Sequence, residues 1–144
     1  MWRSLLLLAG LAALPSLQGC SPYEPPDARP IDPPAGFVTW WQKTEDCSGR
    51  TGDFQRVRWF VVPGDEFECP GGECVGRWQD GHHIYISEAW IDNELVVRHE
   101  MLHDLLGRPG HPNPPFGQGC PLTWATWGGP ESALRQGGVP IRID

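Results

Sequence analysis

The sequence predicts a small α+β domain, loop-rich and disulfide-stapled, in which a small antiparallel or mixed sheet packs on one helix. Three observations carry this. Among 144 residues there are 18 glycines and 16 prolines, well above ordinary usage, so regular elements are short and turns are many. The apolar runs that remain are short aromatic and β-branched segments plus one stretch with helical spacing. Four of the five cysteines form an even set behind a leader-like N-terminus, the setting in which cysteines read as disulfides.

Residues 1–19 carry one charge, Arg3, an apolar run over residues 5–14, and small or polar residues before Cys20. This is the layout of a secretory signal. The run, interrupted by Gly10 and followed by Pro15, falls short of the roughly 20 apolar residues a spanning helix needs. The sequence Leu17-Gln18-Gly19-Cys20 resembles the lipobox of bacterial lipoproteins. That resemblance implies lipidation of Cys20, an anchor in the cell-envelope membrane, and, with Ser21 following, the outer membrane in a diderm host. The prolines of residues 21–36, six in sixteen, leave too little apolar content for a core and suggest an extended spacer over residues 20–36. The folded domain is then residues 37–144.

Within it, residues 37–41 and 56–62 are aromatic and β-branched runs bounded by Gly, Pro and Asp, and both predict strands. A third strand is predicted over residues 82–87, with Ile84 and Ile86 on one face, His83 and Tyr85 on the other, and a turn at Asp80-Gly81 before it. Leu95, Val96, His99, Leu102, His103 and Leu106 recur at three- and four-residue intervals until Gly107 and Pro109 stop the pattern. A helix over residues 93–106, capped by Asp92, puts both histidines on one face. A short helical turn is expected near residues 131–136. Of the three connectivities open to Cys47, Cys69, Cys74 and Cys120, the tight turn sequence between Cys69 and Cys74 favours that pair, leaving Cys47 with Cys120.

A formal net charge of -7 with one lysine, Lys43, leaves no basic stripe to neutralise phosphates, which excludes nucleic acid as the expected partner. The segment that carries chemistry is His99-Glu100-Met101-Leu102-His103, an H-E-x-x-H pattern on a helix. Residues four apart sit one turn above each other, so two imidazoles converge on one ion while the neighbouring glutamate can reach a water. Such a pair suits Zn²⁺ with an open coordination position.

On these residues the chain resembles the zincin metallopeptidases, over about residues 82–111. The resemblance implies a minimal zincin-like fold, zinc as cofactor, peptide or protein as substrate, Glu100 as general base, and a sheet strand beside the helix that holds an extended peptide, a place taken by residues 82–87. It also implies a third protein ligand, for which His111, Glu131, Asp104, His82 and His83 are candidates. Metzincins continue the motif with a glycine and a third histidine. Here Gly107 comes one residue later and His111 two residues later than in that pattern, and no methionine follows Met101. His111 is favoured and Glu131 is the alternative. Asp104 points about 100° around the helix from His103 and reads as a supporting or surface group. Tyr85, His82 or His83 would be the oxyanion-stabilising group that zincins place outside the motif. Trp124 and Trp127 read first as core residues, with a substrate pocket as the second reading. A zinc-binding envelope protein without turnover, and a cell-wall binding module using exposed tryptophans, are the functional alternatives.

Overall fold

Sheet and helix segregate in this chain as its sequence pattern suggests, although one predicted strand is a helix. The computed structural model describes residues 23–129. Cys20, Glu131 and the turn expected near residues 131–136 lie outside the described residues, as do residues 1–19, expected as a signal.

The elements run β1 (Arg29–Ile31), α1 (Gly36–Ser48), β2 (Arg58–Val62), β3 (Phe67–Cys69), β4 (Gly72–Cys74), β5 (Gly76–Gln79), β6 (His83–Ser87) and α2 (Glu94–Leu106), with 3-10 turns at Phe54–Arg56 and Glu88–Trp90. One mixed sheet has the order β1-β2-β6-β5. In it β2 and β6 are parallel, while β1 and β5 run antiparallel to their neighbours. A separate hairpin joins β3 to β4.

Residues 37–41, expected as a strand, form the first turns of α1. The reason is visible in a longer window: Phe37, Trp41 and Thr44 are the buried positions, a helical spacing, while Val38 and Thr39 face solvent. Strand propensity loses to that periodicity, and Gly49, left-handed at φ 64°, ends the helix with its N–H on the carbonyl of Glu45. The proline-rich segment expected as a spacer is also partly structured. Within it Arg29–Ile31 pairs in register with residues 59–61 of β2, so the sheet begins before residue 37.

The expected strand 56–62 begins only at Arg58, after the 3-10 turn, and the strand 82–87 begins at His83. As expected, Ile84 and Ile86 face one way and Tyr85 the other. Trp59, Ile84 and Ile86 pack inward with α1 and α2, while Val62 and Tyr85 pack outward against Phe67, Cys69 and Cys74 of the hairpin. α2 is capped by Asn93 rather than Asp92, since the Asn93 side chain accepts from the N–H of Val96 at 3.1 Å. Nine of its thirteen residues are buried, because sheet, α1 and the C-terminal loops enclose it.

Both expected disulfides are present, Cys69–Cys74 across the hairpin and Cys47–Cys120 between the end of α1 and the C-terminal loop. The second spans 73 positions in sequence and, in the chain-entropy account, stabilises by about 4 kcal/mol. Among the described residues, no helix is long and apolar enough to cross a membrane.

Candidate metal centre

His99 and His103 project from the same face of α2, both buried. The helix ends at Gly107, whose φ of 59° lets the chain reverse. The N–H of Gly107 returns to the carbonyl of Asp104 and that of Arg108 to His103. The chain then delivers His111 to the two helical histidines. Nε2 of His111 lies 2.9 Å from Nε2 of His99, which lies 3.2 Å from Nε2 of His103. Phe116 of the same loop is buried, and its ring centroid stands 4.8 to 4.9 Å from all three imidazoles. It forms the apolar floor of the cluster.

The hydrogen bonds on the far side of two rings decide what the cluster can hold. Nδ1 of His99 is 2.6 Å from the carbonyl oxygen of Leu122, and Nδ1 of His103 is 3.1 Å from that of Arg108. A carbonyl only accepts, so both Nδ1 atoms carry the hydrogen, and in the neutral rings both Nε2 atoms present lone pairs to each other. Facing lone pairs at that distance repel unless a metal ion or a proton lies between them. Carbonyl-oriented imidazoles are also the usual setting of histidine metal ligands. A tetrahedral ion with metal–nitrogen bonds of about 2.0 to 2.1 Å separates its ligand nitrogens by about 3.3 Å, close to the spacing here. The three residues form a group that could hold a metal ion, with His111 on the solvent side.

Of the candidates for a third ligand, the described residues therefore bring His111 to the pair. Asp104 instead faces β5 and the β5–β6 turn. Its carboxylate accepts from the indole N–H of Trp78 at 2.8 Å and lies 3.1 and 3.2 Å from Nδ1 of His82. His82 sits at φ 64°, a left-handed conformation uncommon for a residue with a side chain. The Trp78 ring in turn lies nearly parallel to that of His103, with centroids 6.3 Å apart. Trp78 is thus held at both ends, by Asp104 and by packing on His103.

His83 and Tyr85 lie on the sheet face away from α2. Tyr85 stacks on Phe60 at 4.8 Å in the hairpin cluster, and Nδ1 of His83 lies 3.2 Å from the carbonyl of Asp80. Burial, then the charge of Glu24, push the Tyr85 phenol above its ordinary pKa, against the opposing pull of Arg77. This placement gives neither residue a position beside the histidines. Trp124 meets Trp90 edge-on at 5.8 Å, and with Trp127 it packs on the main core, in keeping with their expected core role.

Glu100 is fully buried, beneath β5. β6, expected as the strand beside a bound peptide, is interior to the sheet; among the described residues the strand at the sheet edge next to α2 is β5. The sequence offered little warning of β5, since Gly76-Arg77-Trp78-Gln79 is short and holds one large apolar residue. Leu122 and Arg108 act through backbone carbonyls, which leave no trace in side-chain patterns. Comparison with known protein families, curated proteins and solved structures finds no match to this chain.

Proposed function

We propose that the protein is an exported, lipid-anchored zinc peptidase, with His99, His103 and His111 holding the ion and Glu100 acting as general base. The observation that carries this is the convergence of three imidazole nitrogens, two with their tautomers set by the carbonyls of Leu122 and Arg108. Three histidines leave one coordination position for water or substrate, the arrangement of catalytic rather than structural zinc. Bound zinc supplies a Lewis acid that lowers the pKa of a water and polarises a peptide carbonyl.

The chain's own residues supply the rest. Glu100 accepts a proton from the attacking water, whose oxygen bonds to the carbonyl carbon. As the C–N bond breaks, the same carboxyl delivers the proton to the departing amine. The edge of β5 lies beside α2 and offers backbone groups to an extended peptide or protein substrate. Signal residues 1–19 and lipidation of Cys20 would set this domain at the bacterial cell-envelope membrane.

Purified protein should hold one equivalent of zinc. Glu100→Gln should keep the metal and lose peptide hydrolysis. Loss of zinc retention in neither His99→Ala nor His111→Ala would remove the reading.

A second reading, a zinc-binding envelope protein without turnover, draws on the full burial of Glu100. It predicts identical behaviour of wild type and Glu100→Gln on every peptide tried.

A further inference from the structure

We infer that Gly76 is the positioning residue for Glu100, an inference that rests on the peptidase reading above. Gly76 opens the edge strand β5, and its backbone is not among the left-handed glycines, so any residue could adopt its conformation. The requirement is steric. A Cβ placed there would stand 2.8 Å from Oε1 of Glu100, 3.1 Å from its Cγ and 2.9 Å from Cγ1 of Val96. The Glu100 carboxylate therefore lies directly on the backbone of the edge strand, in space that a single methyl would take.

The backbone of the same residue, itself buried, points away from its neighbour strand β6. The N–H of Ser87 donates to the carbonyl of Val75 at 2.9 Å, and the antiparallel register pairs Arg77 with Tyr85 and Gln79 with His83. Alternation then turns the N–H and C=O of Gly76 and Trp78 away from β6, toward the sheet edge. Placing a carboxylate against a fixed backbone sets its reach, and a displacement of about 1 Å at such a group costs on the order of a hundredfold in rate.

The test uses full-length wild type, Gly76→Ala, Glu100→Asp and the double variant, each measured for bound zinc and for kcat and KM on a peptide that wild type cleaves. Gly76→Ala is expected to keep one equivalent of zinc and to lower kcat by about tenfold to a hundredfold with KM little changed. Shortening the carboxylate should make room for the methyl, so the two losses should combine to less than their product. Unchanged kcat in Gly76→Ala, loss of its zinc, or losses that simply multiply would each overturn the assignment. If Gly76→Ala does not fold, Val96→Ala added to it removes the second close neighbour, and the same kinetic comparison is made there.

If wild type cleaves no peptide, the peptidase reading fails and the positional claim is read from thermal unfolding. Gly76→Ala should then lower Tm by at least about 4 °C more in the native background than in the Glu100→Ala background. Equal lowering in both would overturn it.

Discussion

The carbonyl oxygen of Leu122 lies 2.6 Å from Nδ1 of His99, so a residue 23 positions downstream decides which nitrogen of that imidazole faces His103 and His111. Leu122 is itself held by its neighbour, donating its N–H to the carbonyl of Cys120 at 2.8 Å, and Cys120 is bonded to Cys47 at the end of α1. The loop that carries His111 and Phe116 closes on Cys120 as well, through the Cys120 N–H on Pro115 and the Gly117 N–H on Cys120. One disulfide thus tethers both the third histidine and the group that orients the first.

Removing that tether should weaken the metal site along with the fold. The variant Cys47→Ala/Cys120→Ala is expected to lose about 4 kcal/mol of stability, measured by denaturant unfolding of metal-free protein. Its zinc affinity, from competition with a chelator, should fall about 10- to 100-fold, the range for losing a group that orients a ligand. Cys69→Ala/Cys74→Ala should leave zinc affinity unchanged, because that bridge lies in the hairpin across the sheet. Equal effects of the two double variants on zinc would contradict the tether.

His111 is exposed whereas His99 and His103 are buried, so the three alanine variants should separate metal binding from folding. His111→Ala is expected to cost at least about 10- to 100-fold in zinc affinity and little stability in the metal-free protein. His99→Ala should cost both, because the Leu122 carbonyl loses its donor in the interior, a loss of about 1 to 3 kcal/mol. Chelation of wild type should lower Tm toward that of His111→Ala, since an ion that binds only the folded chain stabilises it by mass action. A reversed pattern, with Glu131→Ala abolishing zinc and His111→Ala retaining it, would replace the ligand set.

Alkaline pH offers a separate check on the outer face of the sheet. The Tyr85 phenol has its pKa raised in the folded protein, first by burial and then by Glu24. The folded chain therefore holds that proton more tightly than the unfolded chain does. The resulting stability is fully present below the unfolded pKa of about 10 and is lost as pH rises through the higher folded value. Unfolding midpoints of wild type should decline over that window more steeply than those of Tyr85→Phe. Parallel declines would show that Tyr85 is not the group responsible.

The parts of this structure that were legible in the sequence are those written in side-chain spacing. His99 and His103 announce a helix face, Ile84 and Ile86 a strand face, and the Cys69–Cys74 turn its own bridge. Residues 37–41 misled because a five-residue window shows only strand propensity, while burial at Phe37, Trp41 and Thr44 needs a longer one. Arg29–Ile31 misled because an edge strand that pairs on one side only tolerates a proline within it, here Pro30. The contribution of Gly76 is the absence of a side chain, and those of Leu122 and Arg108 are carbonyls, so sequence patterns alone could not point to them.

Asp104 was legible only as a neighbour of His103, and its place in the fold gives a final expectation. Its side chain is 4% exposed and joins three elements, taking the Trp78 indole N–H from β5 and facing Nδ1 of His82 in the β5–β6 turn. Asp104→Asn keeps the size but replaces the charged acceptor of the buried Trp78 indole N–H by a neutral amide oxygen. That weakens the hydrogen bond, at a cost of about 1 kcal/mol in stability. Because Trp78 also packs on His103, weakening its hold should loosen that imidazole, and zinc affinity should drop by up to about tenfold. His82→Ala removes only the half-exposed partner and should cost less on both measurements. Trp78→Phe deletes the indole donor but keeps a ring over His103, so it should cost stability more than zinc. If Asp104→Asn matches wild type in unfolding and in zinc titration, the carboxylate is not what holds β5 against the metal-site helix.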